Sequence, residues 1–394
     1  MGDLLEKIKQ EFQEIYPDSS TPRVFFAPGR VNLIGEHTDY TGGFVMPMAL
    51  DLGITMLATP RDDGVYHLKS TNFENSVEFS NSYLLGNEVS LDKKDPWGNY
   101  PKGIVLELSK LGLELKGADI LYSSNLPTGA GLSSSAAIGM VTAYGLSKLG
   151  DLQITNEELA FLCQRMENDF IGVKSGIMDQ FAVGLSKKDH AIFLDCNSME
   201  WEYVPLNLEG HKVVITNTGK KRGLNESRYN ERRHESEEAL QKLSELKPQI
   251  KSYRDLTLAD LSLINTLMYP YKERARHIVT ENHRVLEAKK ALESGSLTQF
   301  GQLMLASHRS LSVDYEVTGR ELDSLFQSQL EAGCFKTRMT GAGFGGCTVS
   351  LVIENKVEYF IETVRANYKA RTGLDSEFYL AKSSGGVREI REGL

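Results

Sequence analysis

Cysteine is scarce in this sequence of 394 residues, and its scattered placement excludes two kinds of site. The four cysteines, Cys163, Cys196, Cys334 and Cys347, form no C-x-x-C pair and have no histidine at the spacing of metal ligands. A disulfide framework and a zinc site both need such clustering. The sequence therefore predicts reduced, structural thiols.

Long apolar runs and an excess of positive charge are also missing. No stretch approaches the roughly 18 apolar residues of a membrane-spanning helix, and residues 1–17 alternate charges with Leu, Ile and Phe at helical spacing, unlike a signal sequence. The formal net charge of −9 argues against nucleic acid or an anionic membrane as the main partner, because both need a positive surface. We expect a soluble, cytoplasmic protein.

The order of the predicted elements favours an α+β fold of two domains. A chain of this length exceeds the usual size of one domain, and the pattern changes near residue 205, which gives domains at 1–205 and 206–394. The predicted strands are 53–59, 65–69, 120–122, 348–353 and 377–381, and the predicted helices are 102–113, 226–246, 281–293, 297–308 and 320–331.

Polar side chains gather in residues 29–40, G-R-V-N-L-I-G-E-H-T-D-Y, directly after a short apolar run. This change predicts a strand that delivers a binding loop. Arg30, Glu36, His37 and Asp39 supply hydrogen-bond acceptors and donors, which suit a ligand with many hydroxyl groups.

Residues 127–136, P-T-G-A-G-L-S-S-S-A, lie between a predicted strand and an apolar helix. The N–H groups and the dipole at a helix start bind anions, and the three serines add hydroxyl donors and a ligand for magnesium. The segment matches neither the Walker A pattern nor G-x-G-x-x-G. It predicts a phosphate-binding loop, and a serine-capped helix after an ordinary turn is the alternative.

Glu167 falls on the apolar face of a predicted helix that begins with the capping-box spacing of Thr155 and Glu158. A carboxylate on a buried face is costly unless it is paired or binds a cation. A magnesium ion beside phosphates would satisfy it. An Arg or Lys partner, or a position at the edge of the face, would do so as well.

Asp179 and Tyr229 carry weaker signals. Asp179 lies among apolar residues in G-I-M-D-Q-F, a setting that favours a general base, and capping of the next helix is the competing explanation. Tyr229 opens a charged helix and by itself predicts only a packing contact. Ser70 and Asn72 end a predicted strand, from which they could reach a ligand.

Four glycines stand among the seven residues 340–346, T-G-A-G-F-G-G. They predict a tight backbone path or the close approach of a ligand. A plain turn is the alternative.

In this order, the segments 29–40, 127–136 and 340–347 resemble the three motifs of the GHMP small-molecule kinases, and the first is similar to that of the galactokinase branch. The segments G-I-M-D-Q-F and S-R-Y-N-E-R-R also match that branch. The chain departs from the bacterial pattern at Thr41 and Phe44, where Asn and His are common.

The resemblance implies a fold in which an N-terminal domain with a mixed sheet and a C-terminal domain with antiparallel sheets flanked by helices enclose the active site in a cleft. It implies that ATP phosphorylates the C1 hydroxyl of α-D-galactose in the presence of Mg²⁺, and that the protein is a monomer. Asp179 would be the base, and Arg30 would stabilise the transferred phosphoryl group and favour the ionised form of Asp179.

The resemblance also implies three sets of binding residues. The sugar hydroxyls would contact Glu36, His37, Asp39, the backbone at Gly176, and Tyr229. The ATP phosphates would contact Gly129, Ala130, Gly131, Leu132, Ser133, Ser134 and Ser135, with Ser70 nearby. Ser135 and Glu167 would hold Mg²⁺.

Two other functions stay open. The same scaffold resembles a kinase for N-acetylgalactosamine, and some galactokinase-like proteins are transcriptional sensors that bind galactose and ATP without catalysis. The intact set of Arg30, Asp179, Glu167 and Ser135 favours catalysis over sensing.

Overall fold

The computed structural model describes residues 2–86, 89–112, 115–127, 131–220 and 225–391. Within these ranges the strands form three sheets, and helices cover their faces. The strands are β1 Arg23–Asn32, β2 Phe44–Val45, β3 Pro47–Arg61, β4 Val65–Ser70, β5 Phe73–Ser80, β6 Gly117–Ser124, β7 His190–Asp195, β8 Trp201–Pro205, β9 His211–Asn217, β10 Thr337–Thr340, β11 Cys347–Ile353, β12 Glu377–Ala381 and β13 Arg388–Ile390. The helices are α1 Gly2–Ile15, α2 Asn81–Gly86, α3 Asn99–Ser109, α4 Ser134–Leu149, α5 Asn156–Arg165, α6 Met178–Leu185, α7 Asn225–Leu246, α8 Leu261–Ile264, α9 Tyr271–Glu293, α10 Leu297–Val313, α11 Gly319–Glu331 and α12 Val357–Thr372.

The first sheet is mixed and has the order β13-β1-β3-β6-β4-β5, with β4 and β6 parallel and the other neighbours antiparallel. Its central strands are covered on both faces. Val24 packs with Phe12 of α1, whereas Phe25 joins the main core, to which α4 contributes. Because successive side chains of a strand point to opposite faces, burial of both faces explains the continuous apolar run at the start of β1.

The second half contains an antiparallel sheet of order β10-β11-β9-β12, and a small sheet of order β2-β7-β8 lies in the first half. The two-domain fold with mixed and antiparallel sheets is confirmed. The boundary near residue 205 stays a prediction, and the chain does not divide there completely. Strand β13, near the end of the chain, returns to pair with Val24, Phe25 and Phe26 of the first sheet.

Most of the predicted elements are confirmed, with shifted ends. The helix predicted at 281–293 begins earlier, at Tyr271, directly after Pro270. The helix predicted at 102–113 runs from Asn99 to Ser109, and residue 113 lies outside the described residues.

The structure also bears on the two exclusions drawn from composition. In the described part of the chain, no helix has both the length and the apolar character needed to span a membrane. None of the four cysteines, all of which the structure describes, forms a disulfide. Burial raises the pKa of the Cys163, Cys196 and Cys334 thiols, which keeps them in the less reactive protonated form.

Candidate active site

A cavity of about 570 Å³ lies between the two halves of the chain. Every predicted site residue that the structure describes lines it, whereas Gly129 and Ala130 lie outside the described residues. The predicted residues on its wall are Arg30, Glu36, His37, Asp39, Ser70, Gly131, Leu132, Ser133, Ser134, Ser135, Glu167, Gly176, Asp179 and Tyr229. The second half adds Tyr229, Asn230 and most of the glycine segment 340–346.

Arg30 and Asp179 form a two-pronged ion pair in the middle of this wall. The Arg30 Nε and Nη2 atoms donate to the two carboxylate oxygens of Asp179 at 2.7 and 2.8 Å, and Nη1 donates to the carbonyl of Gly131 at 2.7 Å. The Arg30 side chain is 6% exposed and that of Asp179 is 28% exposed. Three of the five guanidinium N–H donors are thus engaged, and two are left for a ligand.

The phosphate loop is joined to this ion pair through Ser133. Ser133 precedes α4 in a left-handed conformation (φ 62°), makes no side-chain capping bond to the helix, and donates its hydroxyl to Asp179. Ser133 thus occupies the N-terminal capping position of α4 without the side-chain bond that the alternative of a serine-capped helix requires. The first N–H groups of α4 have no acceptors within the helix, and Ser134 and Ser135 face the cavity beside them.

Glu167 lies in a π-helical turn, Met166–Ile171, that follows α5, and its side chain is buried. The capping box of Thr155 and Glu158 is present as predicted. The Glu167 Oε2 atom accepts a hydrogen bond from Ser175 at 3.1 Å, and Oε1 is buried without a partner. Burial, followed by the charge of Asp179, raises the pKa of Glu167 to about 7.

Among the ion pairs that the structure describes, none joins Glu167 to an arginine or a lysine. Glu167 lines the same cavity as Ser135, whose nearby hydroxyl offsets part of the rise in the Glu167 pKa. In the described ranges, no three His, Cys, Asp or Glu side chains are grouped so that they could hold a metal on their own. The oxygens of Glu167 and Ser135 fit Mg²⁺, which is bound by one or two protein oxygens and completes its shell with phosphates and water.

Asp39 and Gly176 meet at the polar end of the cavity. A Cβ atom on Gly176 would lie 1.9 Å from the Asp39 Oδ2 atom, so only glycine fits beside this carboxylate. Burial, followed by the charge of Asp179, raises the pKa of Asp39 to about 7. Asp179 does not cap α6, because Ile177 occupies the capping position.

Glu36 is held by donors from both halves of the chain. Its Oε2 atom accepts bonds from Asn32 at 2.9 Å and from the buried Arg338 at 2.7 Å, and its Oε1 atom accepts one from the Gly341 N–H at 2.5 Å. Burial raises the pKa of Glu36, against the opposing charges of Arg338 and Arg30. The carboxylate retains one of its roughly four lone-pair sites.

His37 and Tyr229 belong to a cluster of rings on the same side. The His37 ring centroid lies 5.7 Å from that of Tyr229 and 4.9 Å from that of Tyr315. Burial, more than any other cause, lowers the pKa of His37 to about 3, so the ring is neutral. Tyr229 therefore lines the cavity, in the position that the family resemblance requires, although its local sequence context by itself predicts only packing.

Another part of the cavity wall is aromatic, which the sequence did not predict. The rings of Phe73 and Trp97 stack at a centroid distance of 5.8 Å, Tyr122 meets Trp97 edge-on at 6.0 Å, and Tyr100 lies on the same wall. Ser70, which was predicted, lies beside them. The feature of the sequence that could have indicated this aromatic surface is Trp97, one of only two tryptophans.

The departures at Thr41 and Phe44 do not reach the cavity wall. Phe44 is buried between the guanidinium of Arg254, 3.5 Å from its ring centroid, and the ring of Phe193 at 5.1 Å. The presence of Phe at position 44, where the bacterial pattern commonly has His, therefore changes the packing around the site and not the cavity wall.

Three family models match the chain: a galactokinase galactose-binding signature at residues 10–60, the N-terminal domain of GHMP kinases at 99–187 and their C-terminal domain at 288–370. The mevalonate kinase of Methanococcus jannaschii shares the fold, with a TM-score of 0.66 at 20% identity over 93% of this chain and 99% of the other. The fold and the site define a small-molecule kinase of the GHMP class.

Relatives with higher identity narrow the class. The galactokinase of Halalkalibacterium halodurans is 54% identical over 94% of this chain and 93% of its own, and that of Bacillus subtilis is 42% identical over 98% and 99%. The crystal structure of Lactococcus lactis galactokinase complexed with galactose matches 98% of this chain and 100% of its own, with a TM-score of 0.92 at 41% identity. The chain belongs to the galactokinase family.

Proposed function

We propose that this protein transfers the γ-phosphoryl group of ATP to the C1 hydroxyl of α-D-galactose, giving galactose 1-phosphate and ADP, the first committed step of galactose catabolism. The observation that carries the proposal is the Arg30–Asp179 pair, which shares one cavity with the polar side chains of the sugar loop and with the phosphate loop. We further propose that the enzyme is cytoplasmic and acts as a monomer. Light scattering of the purified protein would test the oligomeric state.

The polar end suits a sugar. Asp39, Glu36 and the neutral ring of His37 face it together with Tyr229 and the open backbone at Gly176. Carboxylates accept hydrogen bonds from hydroxyl groups, and a backbone N–H or a tyrosine hydroxyl can donate to sugar oxygens. The aromatic end suits the base of the nucleotide, which stacks favourably on flat rings.

The phosphates would lie between these ends, on the loop of Gly131 to Ser135 and the start of α4. Ser135 and the unpartnered oxygen of Glu167 would hold Mg²⁺ there. When bound, Mg²⁺ neutralises charge on the β- and γ-phosphate oxygens.

Asp179 would accept the proton of the C1 hydroxyl as the C1 oxygen of the sugar attacks the γ-phosphorus in line. Arg30 holds both carboxylate oxygens and keeps two N–H donors for the transferred group. Stabilisation of developing charge by such preorganised donors is generally a large part of catalysis.

The first test is the release of ADP by the purified protein with Mg-ATP and galactose, N-acetylgalactosamine, glucose or no sugar. Release that depends on galactose supports the proposal. Release with N-acetylgalactosamine alone would indicate the related kinase. Binding of galactose without release would indicate a sensor.

We predict that Glu167→Gln raises the magnesium concentration needed for half-maximal binding of ADP by at least about tenfold, the scale of a lost metal-site contact. Calorimetry with Mn²⁺ or Mg²⁺ and ADP measures this directly, without turnover. Asp169→Asn is the matched control, because Asp169 lies in the same turn but is exposed. Equal magnesium dependence in both variants would contradict the assignment of Glu167.

We also predict that galactose affinity, measured by calorimetry without nucleotide, rises with pH up to about 7 and then levels off. The pKa of Asp39 is raised to about 7, so its accepting carboxylate form is lost below that pH. Affinity should fall by a limiting factor of about ten per pH unit on the acid side, as for a single titrating group. Asp39→Asn should flatten the curve, and equal wild-type affinity at pH 6 and pH 8 would contradict the prediction.

A further inference from the structure

Two adjacent residues of the sugar loop reach across the cleft to two adjacent residues of the glycine segment. The Glu36 Oε1 atom accepts the Gly341 N–H at 2.5 Å, and the His37 Nε2 atom lies 3.2 Å from the Ala342 carbonyl oxygen. The first half of the chain thus holds the segment by one donor and one acceptor.

The orientation of the His37 ring follows from its partners. A neutral imidazole has one N–H, and only an N–H can bond to a carbonyl oxygen, so Nε2 carries the hydrogen and Nδ1 is an acceptor. The hydroxyl of Tyr40 then donates to Nδ1 at 3.0 Å, and Tyr40 in turn contacts the hydroxyl of Tyr315 at 2.8 Å. Both ring nitrogens are therefore engaged within the protein.

The backbone at His37 is strained to achieve this. Its φ of 62° lies in the left-handed region, which is unfavourable for a residue with a Cβ atom. Such strain persists only where surrounding contacts determine it. The bonds of the ring to Ala342 and Tyr40 are contacts of this kind.

The glycine segment in turn forms part of the phosphate end of the cavity. A Cβ atom on Gly341 would lie 3.2 Å from the carbonyl oxygen of Gly131, so the two loops are in contact. The same Gly131 carbonyl accepts a bond from Arg30. Displacement of the segment would therefore remove the support of the phosphate loop on that side.

We infer that Glu36 and His37 are positioning residues that latch the glycine segment 341–346 against the phosphate loop and so support nucleotide binding even when no sugar is present. This inference rests on the proposed function, because it assigns the nucleotide to this cavity. It adds to any contact of the two side chains with the sugar.

The test is the affinity for Mg-ADP, measured by calorimetry in the complete absence of sugar. His37→Asn is the informative variant, because Asn tolerates the left-handed backbone but its short side chain cannot reach both Tyr40 and Ala342. We expect its affinity for Mg-ADP to fall by about two- to tenfold, the scale of one lost hydrogen bond. His37→Gln, whose amide can reach the position of Nε2, should recover most of the loss.

Asp39→Asn is the matched control, since Asp39 lines the sugar end but makes no described bond to the glycine segment. It should weaken galactose binding and leave Mg-ADP binding without sugar unchanged. Amide hydrogen exchange of residues 341–346 should be faster in His37→Asn than in the wild type, and this readout does not depend on ligand.

Unchanged Mg-ADP affinity and unchanged exchange in His37→Asn would overturn the latch and leave His37 as a sugar ligand only. Loss of Mg-ADP binding in Asp39→Asn to the same extent would also overturn it, because the effect would then be general. If the wild type binds neither Mg-ADP nor galactose, the proposed function itself fails. If a variant does not fold, exchange in the Glu36→Gln protein tests the same latch from its other residue.

Discussion

Replacing Asp179 by Asn is expected to lower kcat by about 10²–10⁴-fold, the usual contribution of general acid–base catalysis, while both substrates still bind. The amide keeps the shape of the carboxylate but cannot accept the C1 proton. It also turns an NH₂ group toward Arg30, which donates to both carboxylate oxygens, and in one of its two orientations toward Ser133 as well. Single-turnover rates with calorimetric affinities for galactose and Mg-ADP would measure the effect.

Asp39→Asn serves as the comparison for this variant, because it removes a carboxylate from the same cavity at a position that we propose binds the sugar without taking the proton. Its loss should appear mainly in the affinity for galactose. Near-normal kcat in Asp179→Asn would refute the base assignment and leave catalysis to charge and positioning.

The motifs could be predicted from the sequence because each is local. Each motif brings its polar or small residues together within one turn or loop, at 29–40, 127–136 and 340–346. The order of the three motifs along the chain then indicated the family. The cleft between the halves brings the three together, and every described member of the predicted set lies on its wall.

The contacts between the motifs could not be predicted, because they join residues far apart in the chain. Arg338 binds Glu36 across 302 positions, and nothing in the strand β10 distinguishes it from a surface arginine in the sequence. The hydroxyl of Ser133, a predicted phosphate contact, also meets Asp179, through a left-handed backbone that no local sequence pattern indicates.

Two further differences have local causes. The periodicity around Glu167 predicted a continuous helix, whereas α5 ends at Arg165 and a π-helical turn carries the carboxylate. Such turns are frequent at functional sites and have no clear sequence signature. Strand β13 is only three residues long, which is too short for an alternation of apolar and polar residues to predict it. It forms by pairing with β1.

Arg30→Met should lower kcat by about 10³–10⁵-fold, the range for an arginine that stabilises a transferred phosphoryl group. The change removes the cation whose charge opposes the raised pKa of Glu36 and of Asp39, and it leaves Asp179 without its two-pronged partner. Arg30→Lys keeps the charge but cannot hold both carboxylate oxygens and the Gly131 carbonyl at once. We therefore expect its rate to lie between those of the wild type and Arg30→Met.

The double variant of Arg30→Met and Asp179→Asn separates the two roles. If the pair acts as one unit, the double variant should be about as slow as the slower single variant, since residues of a unit are strongly non-additive. Losses that multiply would show that the proton acceptor and the cation contribute independently. In that case the hydrogen bonds of Arg30 to Asp179 would contribute to the stability of the fold. The two remaining N–H donors of Arg30 would account for the contribution of Arg30 to the rate.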